Sequence, residues 1–297
     1  MLYSVVDVGS NTVRLVTYEI NGGAYSSVYT DYRALGLISE IDNGKLRESA
    51  VNTLCETLAL FKKNSPKNAE FLAFATAFMR AITNATEVIE KIKKRTGIEL
   101  EILSGEEEAL YSFRGVMRSL KQTEGVVADF GGGSCEFINF SKSTPLEFTS
   151  CPFGCVKLAK LFVSHDVFPS KREINDISVH VMTNISNIPW LKDHNELILT
   201  GGTARAFAQM DNFIKKTNLP LSNYTFSKSS FDRLYNEFIT FDETYVNFII
   251  TVMPNRLKTI YPGLTAIKTI IDYIGCSRIT ISTEGVREGY LSDHIRR

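Results

Sequence analysis

Apolar positions arranged for β structure open the chain. Val5-Val6-Asp7-Val8-Gly9-Ser10-Asn11-Thr12 is a β-rich run that ends in an acid, followed by a glycine two residues on and small hydroxyl residues. Val13, Leu15 and Val16 then resume the apolar pattern. Val127-Ala128-Asp129-Phe130-Gly131-Gly132-Gly133-Ser134 repeats the arrangement, with Phe137 and Ile138 after it. At each place the spacing predicts a strand, a tight turn and a returning strand, with turn glycines taking positive φ. A matched pair near the start of each half predicts a duplication: two similar lobes facing one cleft.

Between and after these hairpins the period changes. Val51, Leu54, Leu58 and Phe61 recur at helical spacing over 49–63, a run that stops near Pro66. Residues 71–75 read as a buried strand, 86–96 as an amphipathic helix closed by Gly97, and 98–103 as a strand. Ser104 then caps a helix, and Glu107 three residues later completes a capping box. The second half predicts a helix over 171–188 and a strand over 196–199. A Gly201-Gly202 turn leads into a helix from Thr203, and a helix over 262–274 precedes a strand over 278–282. This is an α/β chain with no low-complexity linker, so the lobes are expected to pack as one hinged unit.

At 297 residues the chain suits one large domain or two lobes. Hydrophobic residues make up 44%, too many for a disordered protein. Lys plus Arg and Asp plus Glu each total 33, so no net positive charge is available for general nucleic-acid binding. A polyanion must instead be met by clustered cations or backbone amides. Five cysteines at irregular spacing do not make a disulfide framework. Cys151 and Cys155, in a CPFGC loop without a partnering Cys or His pair, read as structural thiols rather than a metal site. The N-terminal apolar stretch lacks a basic lead and is broken by Asp7, unlike a signal peptide. No run reaches the ~20 apolar residues of a membrane helix. The expectation is a cytoplasmic protein without a membrane partner.

The glycine turns carry the first candidate chemistry. Gly9 to Thr12 (with Ser10 and Asn11) and Gly131, Gly132, Gly133 and Ser134 can each aim consecutive N–H groups at a phosphate. Gly201, Gly202 and Thr203 add a third loop at a helix N-terminus, where free N–H groups favour anions. Any one of them could be an ordinary turn. Three in one chain, two of them duplicated and each with Ser or Thr, favour phosphate binding. Glu106, Glu107 and Glu108 occupy a first helical turn, where carboxylates stabilise the helix dipole without any catalytic role. Asp7 and Asp129 end strands beside phosphate loops, where Mg²⁺ is commonly held by one or two carboxylates and the phosphates. Glu136 is expected to point toward the same cleft or just beneath it, the alternative being a pairing with Lys or Arg.

Eight segments then carry a resemblance. They are DVGSNTVRL (7–15), ATAFMRAITNA (75–85), TGIELEILSGEEEALYSFRGV (96–116), DFGGGSCEF (129–137), PFGCVKL (152–158), TGGTARAFA (200–208), YPGL (261–264) and ISTEGVREGYL (281–291). In this order they resemble the exopolyphosphatase / guanosine pentaphosphate phosphohydrolase family of the sugar-kinase, actin and heat-shock-chaperone ATPase superfamily. The resemblance implies two ribonuclease-H-like lobes around an interlobe cleft, 1–124 and 125–297, with a C-terminal helix at about 286–297 open to packing back on the first lobe. It implies a Mg²⁺-dependent hydrolase (Mn²⁺ as the alternative ion) that removes terminal phosphate from inorganic polyphosphate or guanosine pentaphosphate. An ATP-dependent small-molecule kinase and a non-catalytic guanosine tetra- or pentaphosphate sensor are the alternatives. Carried over by residue, Glu108 is the general base and Arg80 contacts terminal phosphates. Asp129 and Glu136 belong to the metal and water network, and Ser10, Asn11, Gly132, Gly133 and Ser134 to the phosphate loops.

The chain departs from the family pattern in places. Cys135 stands where threonine is usual, which would alter the loop's polarity or make it oxidisable. Lys258 stands where an acid is common, and Thr283-Glu284 replaces a Ser-Asp-type turn. Asp293-His294 is not the His-Asp pair of the helical metal-phosphohydrolase domain that longer relatives carry, so that domain is expected to be absent. The local cations are few: Arg80, Lys157, Arg205, Arg256 and Arg287. Short substrates cleaved distributively are therefore expected, unless a homodimer joins two clefts into a longer track.

Overall fold

The computed structural model describes residues 1–22, 24–164 and 168–295; Arg296 and Arg297, at the end of the expected C-terminal helix, lie outside the described residues. The chain divides into two compact units, Met1–Glu108 joined by the residues from Asp293 onward, and Ala109–Ser292.

In the first unit β1 (Leu2–Val8), β2 (Thr12–Asn21) and β3 (Ala24–Ala34) form an antiparallel meander. A small ribbon of β4 (Ile41–Asp42) and β5 (Lys45–Leu46) leads to helix α1 (Glu48–Asn64). Strand β6 (Ala69–Ala75) returns parallel to β1 and is followed by α2 (Ala77–Arg80) and α3 (Ala85–Thr96). Strand β7 (Glu101–Ile102) and helix α4 (Gly105–Val116) come next, and the sheet order is β3-β2-β1-β6-β7. Helix α1 packs because Val51, Leu54, Leu58 and Phe61 form one stripe, and all four are buried with Val6, Val8, Val13 and Leu15 of the sheet.

The second unit repeats the plan. Strands β8 (Glu124–Phe130), β9 (Cys135–Ser141) and β10 (Thr144–Cys151) form a meander, followed by α5 (Cys155–Phe162) and α6 (Lys171–Ile185). Strand β11 (Glu196–Thr200) then lies parallel to β8 and feeds α7 (Gly202–Lys215). Strand β12 (Tyr224–Ser227), helices α8 (Lys228–Phe238), α9 (Glu243–Val252) and α10 (Ile260–Ile274), strand β13 (Arg278–Ile281) and helix α11 (Val286–Ile295) complete the order. The sheet reads β10-β9-β8-β11-β13-β12. The two hairpins share register: Asp7 faces Arg14 and Val8 faces Val13, as Asp129 faces Glu136 and Phe130 faces Cys135. A meander followed by a parallel crossover strand beside its first strand, found twice, is the ribonuclease-H-like arrangement.

Several sequence expectations change in detail. The change between units lies inside α4 rather than between 124 and 125, because Ala109, Phe113 and Val116 bury against Val127, Ile138, Phe140 and Ile198. Of the strand expected over 98–103 only Glu101–Ile102 pairs, against Phe74 and Ala75 at the end of β6. The helix expected to reach 188 stops at Ile185, just ahead of Ile188-Pro189, since the residue before proline is driven out of helical conformation. Gly9, Gly131, Gly132 and Gly133 do not take positive φ. Crowding explains the glycine at two of these positions: a Cβ on Gly9 would sit 3.1 Å from the Thr12 carbonyl, and one on Gly131 3.3 Å from that of Ser134.

Helix α11 begins in backbone contact with α4. A Cβ on Gly289 would lie 1.8 Å from the Tyr111 carbonyl oxygen, and one on Gly115 2.0 Å from that of Gly285. Neither backbone can retreat cheaply, so Gly289→Ala is expected to cost about 1–3 kcal/mol or more by overpacking. Thermal unfolding checks this, and a midpoint equal to the parent's refutes the contact. Among the described residues no helix is long and apolar enough to cross a membrane.

Candidate active site

The three adjacent glutamates have different fates. Glu106 and Glu107 are exposed and Glu108 is buried. Glu107 is spent on the helix start, accepting the Ser104 N–H at 2.8 Å while its own N–H donates to Ser104 Oγ at 3.1 Å. One residue further round the helix, Glu108 accepts a hydrogen bond at 2.8 Å from Arg80 Nη1. That nitrogen also donates to the Leu103 carbonyl at 2.6 Å, so the last residue of α2 is tied both to the approach to α4 and to its carboxylate. Two residues that the family resemblance gave separate roles are thus a bonded pair in the first unit.

The first glycine turn lies in the same unit. Gly9 N–H donates to the Thr12 carbonyl at 3.1 Å, while the Ser10 and Asn11 carbonyls accept from Ile38 and Gly36 at 3.0 and 2.9 Å. Carbonyl and following N–H point opposite ways in a planar peptide, so the Asn11 N–H is turned away from that anchoring segment. Asp7 Oδ1 is 3.8 Å from where a Cβ on Gly9 would be, which sets the carboxylate under the turn.

In the second unit the Gly131 carbonyl accepts from Cys155 at 3.1 Å, and that of Gly132 from Val156 and Lys157, both at 3.0 Å. These donors are the orphan amides of the first turn of α5. With its carbonyls held by the helix, the loop turns the Gly132 and Gly133 N–H groups the other way, as an anion nest requires. Gly154 permits the approach: a Cβ there would fall 2.5 Å from the Gly132 carbonyl carbon. Ser134 is buried beside the loop. The expected CPFGC loop is therefore partly helix, and its Cys155 is part of the loop's support.

Asp129, next to the end of β8, accepts from Ser112 Oγ of α4 at 2.6 Å. Burial pushes its carboxyl above the ordinary range; the Ser112 hydrogen bond and the Arg205 charge oppose that shift, and the Glu288 charge adds to it. Glu136, directly opposite on β9, is 1% exposed and accepts from Ser150 Oγ at 2.7 Å. Cys135 is buried, and that burial pushes its thiol far up; burial also raises those of Cys151, to about 12, and of Cys155. Burial of this kind disfavours the reactive thiolate, which speaks for altered loop polarity rather than oxidation at Cys135.

The third loop is close to the second. Gly201, at φ 105, has no room for a Cβ, which would stand 2.2 Å from the Phe130 carbonyl oxygen. The Arg256 guanidinium lies over Gly202, its Nη2 2.0 Å from an added Cβ. Thr203 is 1% exposed, with its hydroxyl turned toward Gly263 and Cys155, so it packs α7 against α10 and α5 instead of presenting an oxygen outward. Neither Ser112 nor Gly154 is marked as a site residue by sequence spacing. The signal for Ser112 was a lone hydroxyl one helical turn after Glu108, among Ala109, Phe113 and Val116.

Among the described residues no group of three or more His, Cys, Asp or Glu is arranged to hold a metal. Mg²⁺ does not need one, because it binds through one or two carboxylates plus substrate phosphates. Asp129, with one oxygen anchored by Ser112 and Oδ1 without a hydrogen-bond partner among the described residues, fits that mode.

Known proteins share this framework. Exopolyphosphatase 1 of Mycobacterium leprae is 31% identical over 180 residues, 59% of this chain and 53% of that protein. The bifunctional 3-dehydroquinate synthase/phosphatase of Fusobacterium nucleatum is 26% identical over 300 residues, 95% of this chain and 45% of that protein. The chain thus spans about half the length of the curated relatives it matches. In fold it is similar to an exopolyphosphatase from Cytophaga hutchinsonii, with TM-score 0.88 and 23% identity over 100% of this chain and 98% of the other. A Ppx/GppA family member from Aquifex aeolicus gives TM-score 0.84 and 24% identity over the same shares. Residues 18–297 match the Ppx/GppA phosphatase family across both units, and the chain belongs to that family.

Proposed function

We propose that this protein is a Mg²⁺-dependent phosphoanhydride hydrolase that releases terminal phosphate from inorganic polyphosphate, with guanosine pentaphosphate as a second substrate. The observation that carries the reading is the Arg80–Glu108 pair: a buried carboxylate on a capped helix, held by a guanidinium that, among the described residues, meets protein acceptors through Nη1. Water attack on a phosphoryl group needs an oriented nucleophile and compensation of charge on the equatorial oxygens. Glu108 accepts the water's proton and Arg80 offers its remaining N–H groups to the phosphate. The amides of Asn11 in the first unit and of Gly132 and Gly133 in the second are the donors for phosphate oxygens, and Asp129 and Glu136 belong to the metal and water network. When bound, Mg²⁺ supplies neutralising charge to the phosphates, with Asp129 the residue to hold it and Asp7 the candidate in the first unit. Family membership and the likeness to an exopolyphosphatase support the reading. Phosphate release from polyphosphate, guanosine pentaphosphate and ATP tests it, and release from ATP alone contradicts it.

The charge pattern also bears on how a polymer is handled. Processive cleavage calls for an extended cationic track, yet net charge is zero and two of the local cations, Arg80 and Arg287, are paired with Glu108 and Glu288. A partly digested long polyphosphate is expected to give a ladder of intermediate lengths on a gel. Loss of full-length chains without intermediates contradicts this, and a dimer found by light scattering would then account for the longer track. Binding is expected to weaken with added salt.

A further inference from the structure

Ser112 is completely buried in the middle of α4. A helical serine normally turns its hydroxyl back to the carbonyl of the preceding turn. Among the described residues Ser112 instead donates only to Asp129 Oδ2, at 2.6 Å. A hydrogen bond to an ionised acceptor is stronger and shorter than a neutral one, and this length fits an O–H donor on a carboxylate. The hydroxyl is also held on both sides along the helix. At Tyr111 and Gly115 the α4 backbone touches the start of α11, through Gly289 and Gly285. The neighbouring Ala109, Phe113 and Val116 bury against β8, β9 and β11. The Cα of the serine is therefore fixed relative to β8, the strand that carries Asp129. Asp129 is left with one committed oxygen and one, Oδ1, without a hydrogen-bond partner among the described residues.

We propose that Ser112 is a positioning residue that fixes the Asp129 carboxylate so that Oδ1 is presented to the divalent cation or to its water. The inference rests on the reading of Asp129 as the metal-holding acid. Ser112 lies four residues after Glu108, so the same helix carries both the base and the hydroxyl that orients this acid.

The test measures Mn²⁺ affinity of the full chain by electron paramagnetic resonance, without substrate, for the parent, Ser112→Ala and Ser112→Thr. Thermal unfolding is followed alongside. Ser112→Ala is expected to bind Mn²⁺ about 5–10-fold more weakly, the net size of one ordinary hydrogen bond. Ser112→Thr, which keeps the hydroxyl, is expected to recover most of that loss even if its extra methyl lowers the unfolding midpoint. Parent-like affinity in Ser112→Ala overturns the proposal, as does equal weakening in both variants. Polyphosphate hydrolysis by the parent separates the failures. Intact hydrolysis with unchanged Mn²⁺ affinity in Ser112→Ala removes only the role of Ser112, whereas no hydrolysis removes the functional reading. A hydrolysing parent that binds no Mn²⁺ overturns the role of both Asp129 and Ser112.

Discussion

Glu108→Gln is expected to lower turnover about 10²–10⁴-fold, the loss typical of a missing general base. The substitution is close to isosteric, and the amide oxygen can still accept from Arg80 Nη1, so α4 and its cap should survive. Substrate binding should survive too, because Glu108 accepts a proton from water and does not grip phosphate. The signature is therefore a fall in kcat with little change in KM and an unfolding midpoint near the parent's. Glu107→Gln is the control: Glu107 is exposed and its job is to cap the helix, so only a small loss of stability is expected there. Near-parent turnover in Glu108→Gln returns the residue to a structural ion pair. Equal loss of activity in both variants points to the helix start instead of the carboxylate.

Arg80→Ala should be comparably damaging by a different route. It leaves the Glu108 carboxylate, 9% exposed at the side chain, without its guanidinium, and it deletes the donors meant for phosphate. Removing one partner from a buried ion pair costs about 3–5 kcal/mol when fully desolvated. Arg80 is 27% exposed at its side chain, so the cost here should fall below that range. Arg80→Lys separates the two roles. An ammonium can replace Nη1 between the Leu103 carbonyl and Glu108, but it then has no planar fork left to hold two phosphate oxygens. The lysine variant is expected to recover stability while keeping a raised KM and reduced kcat. If both variants hydrolyse polyphosphate like the parent, Arg80 serves packing alone.

What the sequence made legible was local. The capping box at Ser104 and Glu107, the stripe on α1 and the duplicated hairpins each depend on residues a few positions apart, and each forms as the spacing predicts. Strands β3 and β10 carry no strand signal in the sequence because they are mostly exposed, so neither shows the alternation that marks a half-buried strand. The short pairing of β7 and the change between units inside α4 were hidden because they depend on what lies opposite in space. The same holds at the site. Glu106, Glu107 and Glu108 are chemically identical in the sequence, and only burial and the reach of Arg80 tell them apart. Thr203 reads as part of a phosphate loop in the sequence, but its methyl and hydroxyl both pack over the bare Cα of Gly263. Gly115 and Gly289 are separated by most of the second unit in sequence, and no local pattern shows that each exists to spare the other helix's backbone.

The most direct measurement is phosphate release by the purified chain from inorganic polyphosphate in the presence of Mg²⁺, beside the Glu108→Gln variant and with ATP as control. The account predicts release from polyphosphate by the parent, little from ATP, and a fall of at least about a hundredfold in the variant. A folded parent that releases no phosphate from polyphosphate, or a variant that releases it at the parent's rate, contradicts it.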